Sequence, residues 1–265
     1  MFCPSCRAEY GRGFTTCNDC GVRLVQELPD IEMREFIQNL NVKECNECEE
    51  IRHLQNARHI NVTPLFWQGR GRPEIPLVIM GINPSVVGTA NEPQRGCDFD
   101  SYFDYYQNRA ASEAENVRLA TEGGFIRRIP VRHWTICHKL ANYCIEGGTP
   151  RWENYVLMEA IHCFYNSVAD LTIDAANAVA ARCFARYTKN MLMRLKPKKM
   201  ILLGKQPYEI FRPYLEEEID NYEYCALTLN GLRIPVLRHP SPAGFNDGDF
   251  YRPDDYEDFC GDNGD

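Results

Sequence analysis

The spacing of its cysteines constrains this chain most. Cys3 and Cys6 are two residues apart, as are Cys17 and Cys20, and ten residues separate the two pairs. Two such knuckles let four thiolates converge tetrahedrally on one ion, the arrangement of a zinc ribbon. Gly21 directly follows Cys20, where a knuckle turn needs a residue without a side chain. A unit of about 25 residues cannot fold on an apolar core, so Zn2+ held by these four thiolates is expected to supply its folding free energy.

A third pair, Cys45 and Cys48, has no fourth pair to match it. Its candidate partners are Cys97, Cys137, Cys144, Cys163, Cys183, Cys225 and Cys260. Thirteen cysteines is an odd number, which excludes complete pairing into disulfides. The opening residues have neither a basic nor an apolar leader segment, and no apolar stretch is long enough to span a membrane. These features predict a cytoplasmic, reduced chain in which cysteines serve as metal ligands, with no membrane partner. Spacing alone leaves the second site open. Zn2+ or a [4Fe–4S] cluster would accept four thiolates, and Cys163 and Cys183 also suit an ordinary packed interior.

Behind the cysteine pairs, strand-like and helix-like segments alternate. Apolar runs at 77–80, 155–161, 199–204 and 234–237 read as strands. Residues 110–120, 132–145, 175–195 and 206–215 read as helices. The pattern predicts an α/β fold: a three-layer α/β/α sandwich with a mainly parallel four-stranded sheet, plus the small ribbon. The expected divisions are a ribbon over 1–25, a helical linker carrying the third pair over 26–60, the α/β domain over 61–245, and a disordered acidic tail over 246–265. In such sheets ligands gather at the carboxyl ends of strands. Gly81-Ile82-Asn83-Pro84 and His239-Pro240-Ser241-Pro242 each follow a predicted strand directly.

The net charge of −8 does not mark a nucleic-acid binder, but its distribution is uneven. Residues 182–212 carry nine basic side chains against Glu209 alone, while 246–265 carry eight acids against Arg252 alone. A local basic surface is what a phosphate backbone needs, and a solvated helix face has the same composition.

Together these features resemble the uracil-DNA glycosylase superfamily. Gly81-Ile82-Asn83-Pro84 is similar to the first motif of the mismatch-specific uracil and thymine glycosylases, and His239-Pro240-Ser241-Pro242 resembles the second motif of the family. Cys45 and Cys48, with Cys163 after a strand and Cys183 ahead of Lys198-Lys199-Met200-Ile201-Leu202-Leu203-Gly204, resemble the cluster-bearing family-four enzymes. The likeness spans roughly residues 40–245 and leaves the ribbon outside. It implies a DNA glycosylase acting on a base flipped from single- or double-stranded DNA. Cys45, Cys48, Cys163 and Cys183 would hold a [4Fe–4S] cluster of structural role, with a second Zn2+ as the alternative.

By the same resemblance, Asn83 would position the attacking water and His239 would donate a hydrogen bond to the base O2 as negative charge develops there. A neutral imidazole suffices for that. Gly81, Ile82, Pro84, Ser85 and Pro242 would bind the substrate, Ser241 would contact a phosphate, and Pro84 and Pro240 would stiffen their loops. Ala243-Gly244 would stand where relatives insert a wedge. A flipped base also needs an aromatic floor, for which Phe99, Tyr102 and Phe103 are the candidates.

The chain departs from the family pattern in three places. Family-four enzymes have Glu-Ala-Pro-Gly where this chain has Ile82-Asn83-Pro84-Ser85. Glu159 stands where those relatives place a uracil-reading asparagine. An ionised carboxylate only accepts hydrogen bonds and would repel uracil O4, so Glu159 must be protonated, point elsewhere, or read another base. Ala243 is small for a wedge. A glycosylase-like module that binds modified or damaged nucleic acid without cutting is the competing reading. A third is an adaptor whose metal sites serve protein contacts, with an unidentified protein partner for the ribbon.

Overall fold

The computed structural model describes residues 15–16, 31–57, 59–81, 92–109, 129–145, 154–164, 171–220, 222–240 and 258–260. The chain divides into two units, Met1–Leu40 and Asn41–Asp265. In the first, α1 (Ile31–Leu40) buries Met33 and Ile37, four residues apart on one helical face. The second unit opens with a 3-10 turn, Val42–Glu44, followed by α2 (Glu49–Ala57). The third cysteine pair lies between these two elements and therefore belongs to the larger unit.

That unit is built on one six-stranded sheet. Its strands are β1 (Trp67–Gln68), β2 (Leu77–Gly81), β3 (Tyr155–Glu159), β4 (Lys199–Leu203), β5 (Tyr224–Leu229) and β6 (Leu232–His239). They are ordered β1-β3-β2-β4-β6-β5. The inner four strands run parallel, and β1 and β5 close the two edges antiparallel. The inner strands are the four that the apolar runs predict. The two edge strands enlarge the predicted four-stranded sheet. A two-residue strand is too short to show a period. β5 and β6 form a hairpin through Asn230 (φ 48°) and Gly231 (φ 83°), the Asn-Gly pair that a tight right-twisted turn demands.

Every residue of β2, β3 and β4 is buried, as a parallel sheet covered on both faces requires. One face presents Leu77, Ile79, Tyr155, Leu157, Ile201, Leu203 and Leu237 to Trp134, Cys137, Leu140 and Ala141 of the long helix at Ile129–Cys144. A helix beginning at residue 99 precedes it and is described to residue 109. In chain order these are α3 (99–109) and α4 (Ile129–Cys144). The helix expected over 110–120 lies outside the described residues.

The helix expected over 175–195 is one run in three pieces: α5 (Ile173–Cys183), a π-helical turn (Phe184–Thr188) and α6 (Lys189–Leu195). Thr172 caps its start, its hydroxyl oxygen accepting from the Ala175 N–H at 3.2 Å. Lys196, at φ 45°, ends it in the left-handed conformation, and Pro197 prevents its resumption. α7 (Lys205–Phe211) then packs against β4 and α5. The acidic tail, expected to be disordered, has an anchor. Residues 258–260 form a helical turn, and Phe259 is fully buried 5.6 Å from the Tyr224 ring. No helix among the described residues is long and apolar enough to cross a membrane.

Candidate functional site

The strand registers bring three of the sequence-predicted residues, Gly81, Glu159 and His239, onto one line. Gly81 pairs with Glu159, Met80 with Leu202, and Leu203 with His239. Glu159, Gly81, Leu203 and His239 therefore form a row across four parallel strands, at their carboxyl ends. Residues in register on parallel strands point to the same face. Here it is the face that carries Leu77, Ile79 and Leu237 against α4. Three strand spacings place the Cα atoms of Glu159 and His239 roughly 14 Å apart.

Glycine at position 81 opens the middle of this row. A Cβ there would stand 2.4 Å from Glu159 Oε2, so the carboxyl group occupies the space that any larger residue would fill. Glu159 is only 6% exposed. Burial raises its pKa to about 8, opposed by the positive charge of Arg109. At neutral pH it is therefore mainly a carboxylic acid, with one donor and one acceptor. Around it lies a polar cluster that the sequence reading missed. Arg109, from α3, forms an ion pair with buried Glu92 and lies over the Tyr105 ring at 5.7 Å. His133 Nε2 lies 3.7 Å from Cys137 Sγ, both on α4. Burial lowers the His133 pKa to about 4, so it too is neutral.

His239 is fully buried. Its Nδ1 lies 2.6 Å from the Pro240 carbonyl oxygen. A carbonyl can only accept, so Nδ1 carries the proton and a neutral ring presents Nε2 as an acceptor. Burial lowers its pKa to about 4. The Tyr222 ring packs edge-on at 5.6 Å. For His239 to donate from Nε2, the ring must either exchange its Pro240 bond or take up a second proton.

The predicted aromatic floor divides. Tyr102 is fully buried and donates to the Pro64 carbonyl at 3.2 Å, and Phe103 packs on Trp67 at 5.4 Å. Both rings belong to the interior beside β1, while Phe99 is half-buried at the start of α3. Asn83, Ile82, Pro84, Ser85, Ser241, Pro242 and the ribbon cysteines Cys3, Cys6, Cys17 and Cys20 lie outside the described residues.

The basic segment does not form one surface. Arg182 pairs with Glu50, Arg186 with Glu47, and Arg212 with Glu218. Lys199 is buried and donates to the Cys260 carbonyl. Lys196 and Lys198 precede β4, whereas Lys205 follows it. A five-residue strand, about 17 Å long, separates them.

The other four predicted ligands lie near enough to act on one another. Cys45 caps the 3-10 turn, Cys48 precedes α2, Cys163 follows β3, and Cys183 ends α5. Cys48, Cys163 and Cys183 are buried and Cys45 is half-buried; all four are free thiols. They act on one another. A hydrogen bond from Cys183, helped by the Arg182 charge, lowers the Cys48 pKa to about 6 against the effect of burial. Burial, together with Cys45 and Cys48, pushes Cys163 up to about 12. Arg95 and Arg186 add positive charge beside Cys45. Arg95 also fixes the local backbone, donating to the Cys45 carbonyl at 3.2 Å and to Gln55 Oε1 at 3.3 Å. Among the described residues, no three His, Cys, Asp or Glu side chains are drawn in to metal-holding distance. The thiols share one neighbourhood without being closed around an ion.

No protein-family model matches the sequence, and no curated protein does.

Proposed function

We propose that this chain is a DNA glycosylase of the uracil-DNA-glycosylase type, hydrolysing the N-glycosidic bond of uracil or another deaminated or damaged base flipped out of DNA. The observation that carries this reading is the row of Glu159, Gly81, Leu203 and His239. A carboxyl group and an imidazole share one face of a parallel sheet, at the strand ends where α/β folds gather ligands. A protonated Glu159 has one donor and one acceptor, as an asparagine amide has, and so suits uracil O4 and N3–H. That removes the objection to a carboxylate at this position. Asn83, two residues beyond Gly81, is assigned to hold the attacking water. The three-layer α/β/α arrangement belongs to the same reading, with DNA as the partner.

Cys45, Cys48, Cys163 and Cys183 are proposed to hold a [4Fe–4S] cluster, with Zn2+ as the alternative. The donor set fits: four thiols from three segments lie near one another beside Arg95, Arg182 and Arg186, whose charge would offset that of bound thiolates. The group would brace the loop after β3 against α5. Cys3, Cys6, Cys17 and Cys20 are proposed to hold Zn2+.

One observation favours the second reading, a module that binds modified or damaged nucleic acid without cutting. The Pro240 bond leaves neutral His239 unable to donate from Nε2.

The test is an oligonucleotide panel carrying uracil, hypoxanthine or xanthine, followed by alkaline scission of abasic sites. Wild type should release uracil, and Asn83→Ala and His239→Ala should each slow release by about 100-fold or more. Tight binding with no abasic product from any lesion would sink the enzyme and leave the module. Purified protein should be brown, absorbing near ~400 nm. Colourless protein with two zinc equivalents would replace the cluster by Zn2+.

A further inference from the structure

A second pair of thiols meets far from the strand-end row. Cys144 is the last residue of α4, and Cys260 stands near the C-terminus, 116 residues away in sequence. Their sulfur atoms are 3.0 Å apart and hydrogen-bonded. The surroundings hold this contact in place. Buried Lys199, at the start of β4, donates to the Cys260 carbonyl and lies 5.7 Å from the Phe259 ring. Phe259 is fully buried in the cluster that also contains Cys144, Tyr155 and Leu237. The tail is thus brought to α4 by non-covalent contacts alone, with the two sulfurs already opposed. A disulfide needs them about 2.05 Å apart, an approach of roughly 1 Å.

We propose that Cys144 and Cys260 are an oxidation site, forming a reversible disulfide that fastens the C-terminal segment to the end of α4. The oxidant class is a small disulfide such as oxidised glutathione. The two thiols have distinct roles. Cys260 is the more accessible, and the Cys144 hydrogen bond and the Lys199 charge make it the more acidic. Cys144 is buried and its ionisation is disfavoured. The Cys260 thiolate attacks one sulfur of the oxidant, forming a mixed disulfide and expelling one thiolate. Cys144 then attacks the Cys260 sulfur, loses its proton to the departing group, and releases the second small thiol. Two protein thiols are oxidised by two electrons, and one small disulfide is reduced to two thiols.

The bond would close both ends of the stretch that follows β6. His239 is fixed in the sheet at the start of that stretch, and Cys260 would be fixed to α4 at its end. In the reduced state the burial of Phe259 and the Lys199 contacts hold that second end.

The experiment uses the full chain, reduced and then treated with oxidised glutathione, blocked with N-ethylmaleimide and digested with trypsin without reductant. The peptides 140–151 and 239–265 each contain a single cysteine, so a joined pair identifies the bond without ambiguity. We expect the joined pair after oxidation, its disappearance with dithiothreitol, and its absence from Cys260→Ser. The oxidised protein should melt about 5–10 °C higher than the reduced form, a shift absent from Cys260→Ser. Recovery of the two peptides separately alkylated, Cys260 left as an unresolved glutathione adduct, or Cys260 joined to any other cysteine would each overturn the proposal. A joined pair without the shift in melting would overturn the fastening.

Discussion

The thiol region and the strand-end row solve opposite electrostatic problems within one domain. Around Cys45, Cys48, Cys163 and Cys183 the fold gathers arginines, and one thiol is made markedly acidic. Along Glu159, Gly81, Leu203 and His239 it suppresses charge. The carboxyl group is raised and the imidazoles of His133 and His239 are lowered, so each is held neutral. Burial is the main cause of the second pattern, with the Arg109 charge adding to it at His133. In the first, neighbours outweigh burial at Cys48, while Cys45, Cys163 and Cys183 stay protonated. A thiolate prepared at Cys48 suits a cationic guest. A region stripped of charge suits a neutral heterocycle, which is read by donors and acceptors.

The largest test of this contrast lies with the thiols. If they hold a metal group, half-exposed Cys45→Ser should cost as much as buried Cys163→Ser, about 3 kcal/mol or more, with loss of the bound metal. If they are only packed cysteines, Cys45→Ser should fall within about 0.5 kcal/mol of wild type. Denaturation midpoints beside metal analysis separate the two outcomes.

The row is tested by pH. The unfolded chain binds protons below about 6.5 that His133, His138, His162 and His239 refuse when folded. Stability should therefore fall as pH drops from about 6.5 toward 4. Glu159 acts on the alkaline side. Between the ordinary glutamate value and about 8, the folded chain keeps a proton that the unfolded chain has released. Below about 6.5 the four histidines outweigh it, so the net decline should show as pH rises from about 6.5 to about 8, by on the order of 2 kcal/mol. Glu159→Gln should flatten this decline while leaving the acid limb in place. A melting-temperature profile that is identical in the two proteins would place Glu159 in water.

A smaller effect concerns the gap in the row. Gly81→Ala would push a methyl group against the Glu159 carboxyl and should cost about 1–3 kcal/mol. Combining it with Glu159→Ala should recover part of that cost. Strict additivity in urea unfolding would show that the two residues do not compete for the same space.

Much of this was legible in the sequence where one signal sufficed. Runs such as Leu77–Met80 and Met200–Leu203 mark strands buried on both faces, because only those lack polar alternation. His239 could be placed just past a strand for the same reason, whereas Glu159 fell inside the run read as 155–161 and ends its strand only in the structure. The edge strands were missed for different causes. Trp67–Gln68 has no length over which to alternate, and the Asn230-Gly231 signal was overlooked. Tyr102 and Phe103 show where local reading fails. An aromatic ring for a ligand and one for the interior have the same sequence, and only tertiary packing separates them. Arg109 and Glu92 were invisible because their importance lies in each other and in Glu159, which no local spacing connects.

The wide turn at Phe184–Thr188 has one more consequence. It admits one residue beyond the α-helical count, so it sets the angular phase between Cys183 and the inward side chains Met191, Leu192 and Leu195. Removing a single residue from that turn would let the helix close up smoothly, yet swing everything after it by about 100°. The chain could then keep its thiol or its hydrophobic seam in place, but not both.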